Sequence, residues 1–585
     1  MSLTRRDLMK LGVLGSAALV LPIERAARGQ LQLAARLDPS RLPAVGQLPF
    51  TVPPEARPVA TWVTVPGRWI NPSHPAGDSE VRVEIDYYEI HQRQVLASII
   101  PGVAPTSIWG YDGITPGPTF HVERNRPILV RFFNDFTEQH PVLRYGVPDT
   151  SVHLHGNPSL AQHDGYASDT CPPQRYKDYW YPAFSDARTL WYHDHAVHNT
   201  ASNAYMGLAG QYHLHDGIER SSGLPVRGPR DQYGNPYDCP MSFRDAMFDT
   251  SGQLIFNAVE DSGVYGDVML VNGVPWPNMK VEPRKYRFRF LNAAVARSVT
   301  LALSVKGSTS KLPMIVAGTD SGIVEIAQSV SSMRVGPGER YEIVIDFAAL
   351  KGRTLLLRNL RPKNNVEYPT TGTIMQFQVG QTVTNTSNNA VAAGSVLRSR
   401  PDAMRLTAAD ATSRRTFDFK RANGHWTING KTWQDVIDSE FSASLATPEE
   451  DSVEIWKFRN LSGGWHHPVH LHLVDFKILS RTGDTKIRGI LPHERGPKDV
   501  VYVGENETVE VLAHFGPQCG RYMIHCHNLI HEDHDMMHQF HVRPGSGDHE
   551  EDPMGSRATS QPPDGSLNLP PTADGQPQQP PPYGA

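Results

Sequence analysis

The chain is patterned as short segments in which apolar and polar residues alternate, separated by turns rich in glycine and proline. Residues 81–85 read Val-Arg-Val-Glu-Ile, the alternation expected of a strand that is buried on one face. Residues 127–132 and 341–347 are further strand-like segments, and glycine and proline contribute 48 residues each. Many short strands joined by such turns predict an all-β chain folded as sandwiches or Greek-key barrels.

Residues 286–290 alternate aromatic side chains with arginine, reading Tyr-Arg-Phe-Arg-Phe. This mixture can contact a nucleic acid, but a strand with one buried face and one solvated face explains it more simply. The composition agrees, because the net charge is −5 and charged residues make up 20% of the chain. We therefore expect no nucleic-acid partner.

The chain has 585 residues, enough for three or four domains that each bury a core. Ahead of the last domain the sequence becomes polar and rich in Thr, Asn, Ser and Ala. This change predicts an interdomain linker at residues 386–412. Residues 546–585 are rich in Pro, Gly, Ser, Gln and Asp, a composition that predicts a disordered tail.

The N-terminal segment carries Arg5 and Arg6 ahead of an apolar stretch of small residues at 11–21. This pattern predicts a twin-arginine export signal within residues 1–35. An ordinary amphipathic helix is the alternative. We expect a periplasmic or extracellular protein, and no membrane span, because no apolar run of about 18 residues follows the N-terminus.

Near the C-terminal end, residues 525–537 read His-Cys-His-Asn-Leu-Ile-His-Glu-Asp-His-Asp-Met-Met. Residues 520–524 read as the start of a strand, on which His525 and His527 would share one face and Cys526 would point to the other. Cys526 with His531 and Met536 then forms half of a blue-copper site, whose second histidine comes from elsewhere. The alternative is a buried thiol among packed histidines.

Three of the other His-x-His units accompany this pair, and in each of the three both imidazoles share a strand face. They are His153 with His155, His193 with His195, and His470 with His472. Together with the C-terminal pair they supply eight imidazoles and no carboxylate, more than one ion takes, so they predict a metal cluster. His467 precedes His470 by three residues, so on a strand it points away from the cluster, as Cys526 does.

These motifs resemble the multicopper oxidases, the three-domain family of laccases, bilirubin oxidases and cuprous oxidases. The resemblance covers residues 60 to 543 and is strongest to the bilirubin oxidase and bacterial laccase branch. It implies three cupredoxin-like Greek-key β-barrel domains, at residues 45–218, 219–385 and 413–545, with the type 1 copper in the last.

The resemblance also implies four copper ions and their ligands. A type 1 ion would be held by His467, Cys526 and His531, with Met536 axial. The type 2 ion would be held by His153 and His470, and the type 3 pair by His155, His193, His195, His472, His525 and His527. His467 is chosen over its neighbour His466 because the family's ligand stands immediately before proline.

Two acidic residues stand where the family places proton-relay groups. Asp164 lies nine residues after His155, and Glu532 follows His531; the alternative for Glu532 is a surface acid. Asn528 is positioned to tune the sulfur of Cys526 through a hydrogen bond. His466 is expected either to sense pH at the rim of the type 1 site or to be an ordinary exposed loop residue.

The implied reaction couples one-electron oxidation of phenols, aromatic amines or tetrapyrroles to four-electron reduction of O2 to water. The small organic donor would approach an exposed His467, beside Trp465, and electrons would pass through Cys526 to His525 and His527. The alternative is a metallo-oxidase of Cu(I) or Mn(II), against which the 15 methionines form no cluster. We expect a monomer.

Besides Cys526 the chain contains Cys171, Cys239 and Cys519. An oxidising compartment allows one disulfide among these three and leaves one thiol over. The sequence does not choose the pair.

Overall fold

The computed structural model describes residues 35–66, 80–143, 146–257, 262–362, 365–483 and 489–545. Most of the predicted export signal (residues 1–34) and the whole predicted tail (residues 546–585) lie outside this range. Within it, no helix is both long and apolar enough to cross a membrane.

The first part of the chain forms two four-stranded sheets and a separate pair of strands. The sheet orders are β4-β3-β6-β8 and β5-β10-β9-β7, and β1 pairs with β2. Two 3-10 turns (Pro39–Arg41 and Ala161–His163) and helix α1 (Thr200–Met206) lie among them. The strands are β1 (Val63–Pro66), β2 (Glu80–Val83), β3 (Asp86–Ala97), β4 (Thr106–Tyr111), β5 (Gly117–Glu123), β6 (Ile128–Asn134), β7 (Val152–His155), β8 (Arg175–Tyr181), β9 (Arg188–Asp194) and β10 (Ala209–His215).

The middle part follows helix α2 (Gly217–Ser221) and forms a seven-stranded and a five-stranded sheet, with 3-10 turns at Ala348–Leu350 and Pro369–Gly372. The sheet orders are β13-β12-β11-β15-β20-β17-β18 and β14-β22-β21-β16-β19. The strands are β11 (Asp238–Ala246), β12 (Val268–Val271), β13 (Val274–Pro275), β14 (Asn278–Val281), β15 (Lys285–Asn292), β16 (Val299–Val305), β17 (Met314–Thr319), β18 (Gly322–Val330), β19 (Met333–Val335), β20 (Arg340–Asp346), β21 (Thr354–Asn359) and β22 (Thr373–Val379).

The last part forms a five-stranded sheet, β24-β23-β25-β29-β27, and a four-stranded sheet, β28-β26-β30-β31. Its short helices are α3 (Asp402–Arg405), α4 (Trp433–Asp438) and α5 (Leu529–Asp533), with a 3-10 turn at Pro492–Glu494. The strands are β23 (Ser413–Ala422), β24 (His425–Ile428), β25 (Ser452–Asn460), β26 (His467–Leu471), β27 (Phe476–Thr482), β28 (Val500–Val503), β29 (Thr508–Phe515), β30 (Gly520–Cys526) and β31 (Met537–Val542).

Strands that are distant in sequence repeatedly become neighbours in these sheets. Parallel pairs form between β3 and β6, β5 and β10, β11 and β15, β14 and β22, and β23 and β25. A parallel pair cannot be joined by a tight hairpin, so in each case the chain crosses over before it returns. The prediction of an all-β chain is confirmed.

The arginines of strand β15 correct one expectation from the sequence. Arg287 and Arg289 are 0% exposed, so the strand has no solvated face. Arg287 donates to Glu219 at 2.6 Å, and Arg289 donates to Asp238 at 2.8 Å and to Glu342 at 3.2 Å. Paired carboxylates make the burial of these charges tolerable, which a strand-periodicity argument cannot detect.

The predicted linker at residues 386–412 holds one short helix, α3, and packs against the middle part. The backbone N–H of Leu397 donates to the carbonyl of Glu325 at 2.9 Å. Val391 and Leu397 are buried against strands β17, β18 and β20. The segment therefore packs against the middle part of the chain at Val391 and Leu397.

All four cysteines lie among the described residues, and none forms a disulfide. Cys239 lies on β11, Cys519 precedes β30, and Cys171 lies in the loop before β8. The disulfide that the sequence allowed is therefore not present in this structure. Burial raises the pKa of both the Cys171 and the Cys519 thiol to about 12.

Candidate metal centre

Four short strands, β7, β9, β26 and β30, carry the four His-x-His units to one place. His153 lies opposite His193 where β7 pairs with β9, and His470 lies opposite His525 where β26 pairs with β30. All eight histidines are buried. The period of two along a strand places both imidazoles of each unit on one face, as the sequence predicts.

The histidines of the first and last parts of the chain meet across the gap between their sheets. The Nε2 atoms of His153 and His470 are 3.4 Å apart. The His153 ring stacks on His472 with centroids 3.8 Å apart, and His155 stacks on His470 at 3.7 Å. The eight imidazoles therefore form one cluster, which neither part could form alone.

Within the cluster, ligand atoms gather in groups of three that lie within 4.8 Å of one another. One group is His155, His193 and His527; a second is His195, His472 and His525. A third joins His153 and His470 with His155.

Several ring nitrogens of the first group have no hydrogen-bond partner among the described residues. They are Nδ1 of His155, Nε2 of His193 and both nitrogens of His527, all buried. A buried polar atom without a partner costs about 1–3 kcal/mol. Imidazole nitrogens are good ligands for copper, so these atoms fit metal ions.

The nitrogens on the outer side of the cluster are held by protein oxygens, which fixes the tautomer and leaves Nε2 as the ligand atom. Each Nδ1–H donates to one acceptor at 2.5–2.9 Å. The pairs are His153 to the Asp164 carbonyl, His193 to the Asp194 carbonyl, His470 to the Asp499 carbonyl and His472 to the Asp164 carboxylate. Nδ1 of His525 lies 2.8 Å from the Glu532 carboxylate.

A second group lies on the opposite face of β26 and β30. The Sγ atom of Cys526 is 3.3 Å from Nδ1 of His467 and 3.5 Å from Nδ1 of His531, and these two nitrogens are 3.3 Å apart. Met536 is also buried. Its backbone carbonyl accepts a hydrogen bond from the Cys526 N–H at 3.1 Å, which places Met536 beside this group. One thiolate, two imidazoles and a nearby thioether are the ligand set of a blue-copper site.

Sequence comparison agrees with this geometry. Sequence models described as multicopper oxidase match residues 95–218 and 404–546. A bilirubin oxidase from Albifimbria verrucaria is 42% identical over 465 residues, covering 78% of this chain and 77% of that protein. The chain belongs to the multicopper oxidases. It is therefore a copper-dependent oxidoreductase that uses O2 as electron acceptor.

Other multicopper oxidases show the same relationship. A laccase from Bacillus subtilis is 31% identical over 503 residues, covering 78% of this chain and 94% of that protein. The crystal structure of McoA from Aquifex aeolicus superposes with a TM-score of 0.67 at 25% identity, covering 78% of this chain and 96% of that one. The predicted cupredoxin-like Greek-key barrels are confirmed by these matches.

The two predicted acidic residues of this multicopper oxidase both lie at the histidine cluster. Glu532 is buried, and its carboxylate lies 2.8 Å from Nδ1 of His525 and 3.6 Å from Nδ1 of His195. The surface-acid alternative is therefore wrong. Burial alone would raise the pKa of Glu532, but His525 and His195 lower it to about 2. Burial raises the pKa of Asp164 well above its usual value.

A third carboxylate, Asp499, also lies at the cluster, and it was not identified in the sequence analysis. Its Oδ1 lies 3.2 Å from Nε2 of His155, the ring nitrogen opposite the unpaired Nδ1. Arg340 of β20 donates to both oxygens of Asp499 at 2.6 Å. Burial raises the pKa of Asp499 to about 6, although Arg340 opposes this. No motif surrounds Asp499, so only the fold identifies it.

His466 and His467 differ from expectation. His467 is fully buried, not exposed, and its Nε2 lies 2.6 Å from Oγ of Ser462. His466 is also buried: its Nε2 lies 2.7 Å from Oγ of Ser298, and its ring stacks on Tyr502. Burial lowers the pKa of His466 to about 3. It is therefore neither an exposed loop residue nor a sensor of neutral pH.

The partly exposed residue of this region is Trp465, which packs edge-on against His531 at 5.9 Å. Trp426, which the sequence did not single out, covers the His531 ring at 4.0 Å. The backbone N–H of Asn528 bonds to the Cys526 sulfur and lowers its pKa, although burial raises that pKa overall. Asn528 thus contacts the sulfur through its backbone.

Proposed function

We propose that this multicopper oxidase acts on small organic reductants, namely phenols, aromatic amines or tetrapyrroles, in the manner of a laccase or bilirubin oxidase. The support is its 42% identity to a bilirubin oxidase and its 31% identity to a laccase. The observation that carries the proposal is the pairing of a Cys-His-His group with an eight-histidine cluster on opposite faces of the same two strands.

We propose four copper ions in this protein. One is held by His467, Cys526 and His531 with Met536, and one by His153 and His470. The other two are held by the groups His155, His193, His527 and His195, His472, His525. When bound, copper would take single electrons from the reductant and deliver four of them to O2, which becomes two molecules of water.

The protein itself supplies the link between the two sites and the groups that hold protons. Cys526 stands between His525 and His527 in the chain, so one peptide unit on either side separates the sulfur from a cluster ligand. At the cluster, the Glu532 carboxylate lies 2.8 Å from Nδ1 of His525, and Asp164 accepts a hydrogen bond from Nδ1 of His472. These carboxylates are the buried groups placed to pass protons towards the reduced oxygen.

Oxygen uptake by the copper-loaded protein tests the choice of donor. Bilirubin, a simple methoxyphenol and Cu(I) are offered separately, with the protein omitted as the control for spontaneous oxidation. Rapid uptake with the organic donors and little with Cu(I) is expected. Uptake mainly with Cu(I) would instead identify a metallo-oxidase, and no uptake with any donor by fully loaded protein would overturn the proposal.

We also propose that the protein is a monomer. Separately, we propose that it is exported by the twin-arginine route, to the periplasm or beyond. The support is the Arg5-Arg6 pair ahead of an apolar stretch. Fractionation of expressing cells tests this, with a variant that carries lysine at both arginine positions. Export of the parent chain and cytoplasmic retention of the variant are expected; equal distribution would refute the route.

A further inference from the structure

A third group of histidines lies apart from the copper motifs. His121 on the edge strand β5 stands opposite His213 where β5 pairs with β10, and His215 shares the β10 face with His213. Ligand atoms of these three imidazoles lie within 4.8 Å of one another. His213-Leu214-His215 is a fifth His-x-His unit, and neither the family motifs nor the proposed copper ligands include it.

Hydrogen bonds fix which ring nitrogens face each other. Nδ1 of His215 donates to Glu219 at 2.7 Å, which leaves its Nε2 as a lone pair. Nε2 of His213 donates to Oε1 of Gln211 at 2.7 Å, which leaves Nδ1 as a lone pair. That Nδ1 is buried and has no hydrogen-bond partner among the described residues. Metal-binding histidines typically donate their other ring N–H to an acceptor in this way.

The third imidazole completes the set. Nδ1 of His121 lies 2.9 Å from Nε2 of His215, so without a metal the two share one hydrogen. Moving that hydrogen to the other nitrogen of His121 frees a third lone pair. This other nitrogen lies 3.9 Å from Glu55, and the His121 side chain is 10% exposed, so a route to solvent exists.

Charges of both signs lie behind the group, and Arg227 and Arg289 add to burial in lowering the pKa of His121. Arg287 and Arg289 lie close by, but Glu219, Asp238 and Glu342 surround them with three carboxylates for two guanidinium groups. These five side chains together carry a net charge of −1. Burial lowers the pKa of His121 to about 2 and that of His213 well below its usual value. The rings of His121 and His213 are therefore neutral, as ligands must be.

We propose that His121, His213 and His215 bind one borderline divalent cation, Zn²⁺ or Cu²⁺, at a site separate from the copper centres. Three neutral imidazoles with an open fourth position suit such ions. The ion would join edge strand β5 to β10, and through His215 and Glu219 to helix α2 and strand β15. Its effect would be to stabilise the junction between the first and middle parts of the chain.

Zinc binding to the copper-loaded enzyme tests the proposal. Filled copper sites resist replacement, because Cu²⁺ binds such ligands more tightly than Zn²⁺. After equilibration with Zn²⁺ and gel filtration, metal analysis should find one zinc per chain and an undiminished copper content. Titration calorimetry gives the affinity for Zn²⁺. A rise in Tm on adding Zn²⁺ shows that the bound ion stabilises the contact between β5 and β10.

His213→Gln and His121→Gln should each weaken zinc binding at least 100-fold and remove the rise in Tm, while blue absorbance and turnover persist. His121→Gln is the milder change, since this side chain is partly exposed, and it serves if His213→Gln fails to fold. His514→Gln, at a histidine whose side chain is 44% exposed, is the control for loose surface binding and should bind zinc normally.

No zinc bound by a parent enzyme that holds only four copper ions would overturn the proposal and identify the group as a hydrogen-bonded histidine triad. A fifth copper ion in the parent enzyme that is missing from both variants would mean that Cu²⁺ already fills the site, which supports the proposal. Equal binding by the parent and both variants would overturn it too. The readout does not depend on which reductant the enzyme uses, so its failure is distinguishable from failure of the proposed function.

Discussion

Gly338 of the middle part contacts the histidine cluster. A substitution at this glycine tests whether the middle part fixes the position of the His527 ring. It precedes β20 with φ +80°, and a Cβ added to it would lie 2.7 Å from Cδ2 of His527. His527 supplies unpaired ring nitrogens to the cluster. Gly338→Ala therefore presses a methyl group directly on a proposed copper ligand.

The cost has two parts. An alanine held in the left-handed region costs about 1–2 kcal/mol. The added methyl is also roughly 0.7 Å short of ordinary contact at 3.4 Å, and overpacking of this kind costs about 1–3 kcal/mol. His527 cannot move aside freely, because its backbone N–H is bonded to the Pro468 carbonyl at 2.6 Å and Trp191 packs beside its ring.

A displacement of this size exceeds the roughly 0.5 Å that a metal or catalytic constellation tolerates. We therefore expect Gly338→Ala to lose about 2–5 kcal/mol of unfolding free energy, part of its copper, and about 100-fold in turnover. Denaturant unfolding, copper analysis and oxygen uptake measure the three effects. Blue absorbance should persist, because His527 faces away from the Cys526 group.

Gly394→Ala is the matched control. Its φ is +84°, and nothing lies within 4 Å of the added Cβ. It should lose only the conformational cost of about 1–2 kcal/mol and keep its copper and turnover. If the two variants lose equal stability and both stay fully loaded and active, the contact with His527 does not seat the cluster and the reasoning fails.

Three further outcomes are expected. Cys526→Ser should lose blue absorbance and turnover with an unchanged circular dichroism spectrum, whereas Cys239→Ser, at another buried thiol, should keep both. Asp499→Asn leaves Arg340 buried without its partner and should lower the unfolding free energy by about 3–5 kcal/mol in denaturant titration. Burial would raise the pKa of Glu507, but its arginine partners lower it. Its stabilisation is therefore present above about pH 4.3 and lost as pH falls through the folded pKa, so the Tm of Glu507→Gln should vary less between pH 6 and 3.

The proposed copper ligands were predictable because they follow the simplest rule of strand geometry. His-x-His on a strand places two imidazoles on one face, and a cysteine between two histidines must point to the other. Five of the eight histidines lie on strands β7, β9, β26 and β30, and His195, His472 and His527 each follow directly after the end of a strand. Which histidines would meet across the sheets was supplied by the family resemblance, since spacing alone carries no information about contacts between distant strands.

The surroundings of the site were less predictable, because burial depends on what other segments cover. The family resemblance implied an exposed His467, and His466 was expected at the rim of the type 1 site or in an exposed loop. In the structure Ser298 and Tyr502 enclose His466, and Ser462 covers His467. The prediction of a solvated face at Arg287 and Arg289 was wrong for the same reason. Charged residues on a strand predict a solvated face unless their partners, which are distant in sequence, are known.

The middle part of the chain has none of the copper motifs, yet it shapes the cluster through one short segment. Gly338 contacts His527, and two residues later Arg340 holds Asp499, which in turn holds His155. His155 and His527 belong to the same group of three, so one turn before β20 positions two of its three rings. A part without a metal ligand can thus be as necessary to the site as those that supply ligands, because the ligands come from separate parts and need a common support.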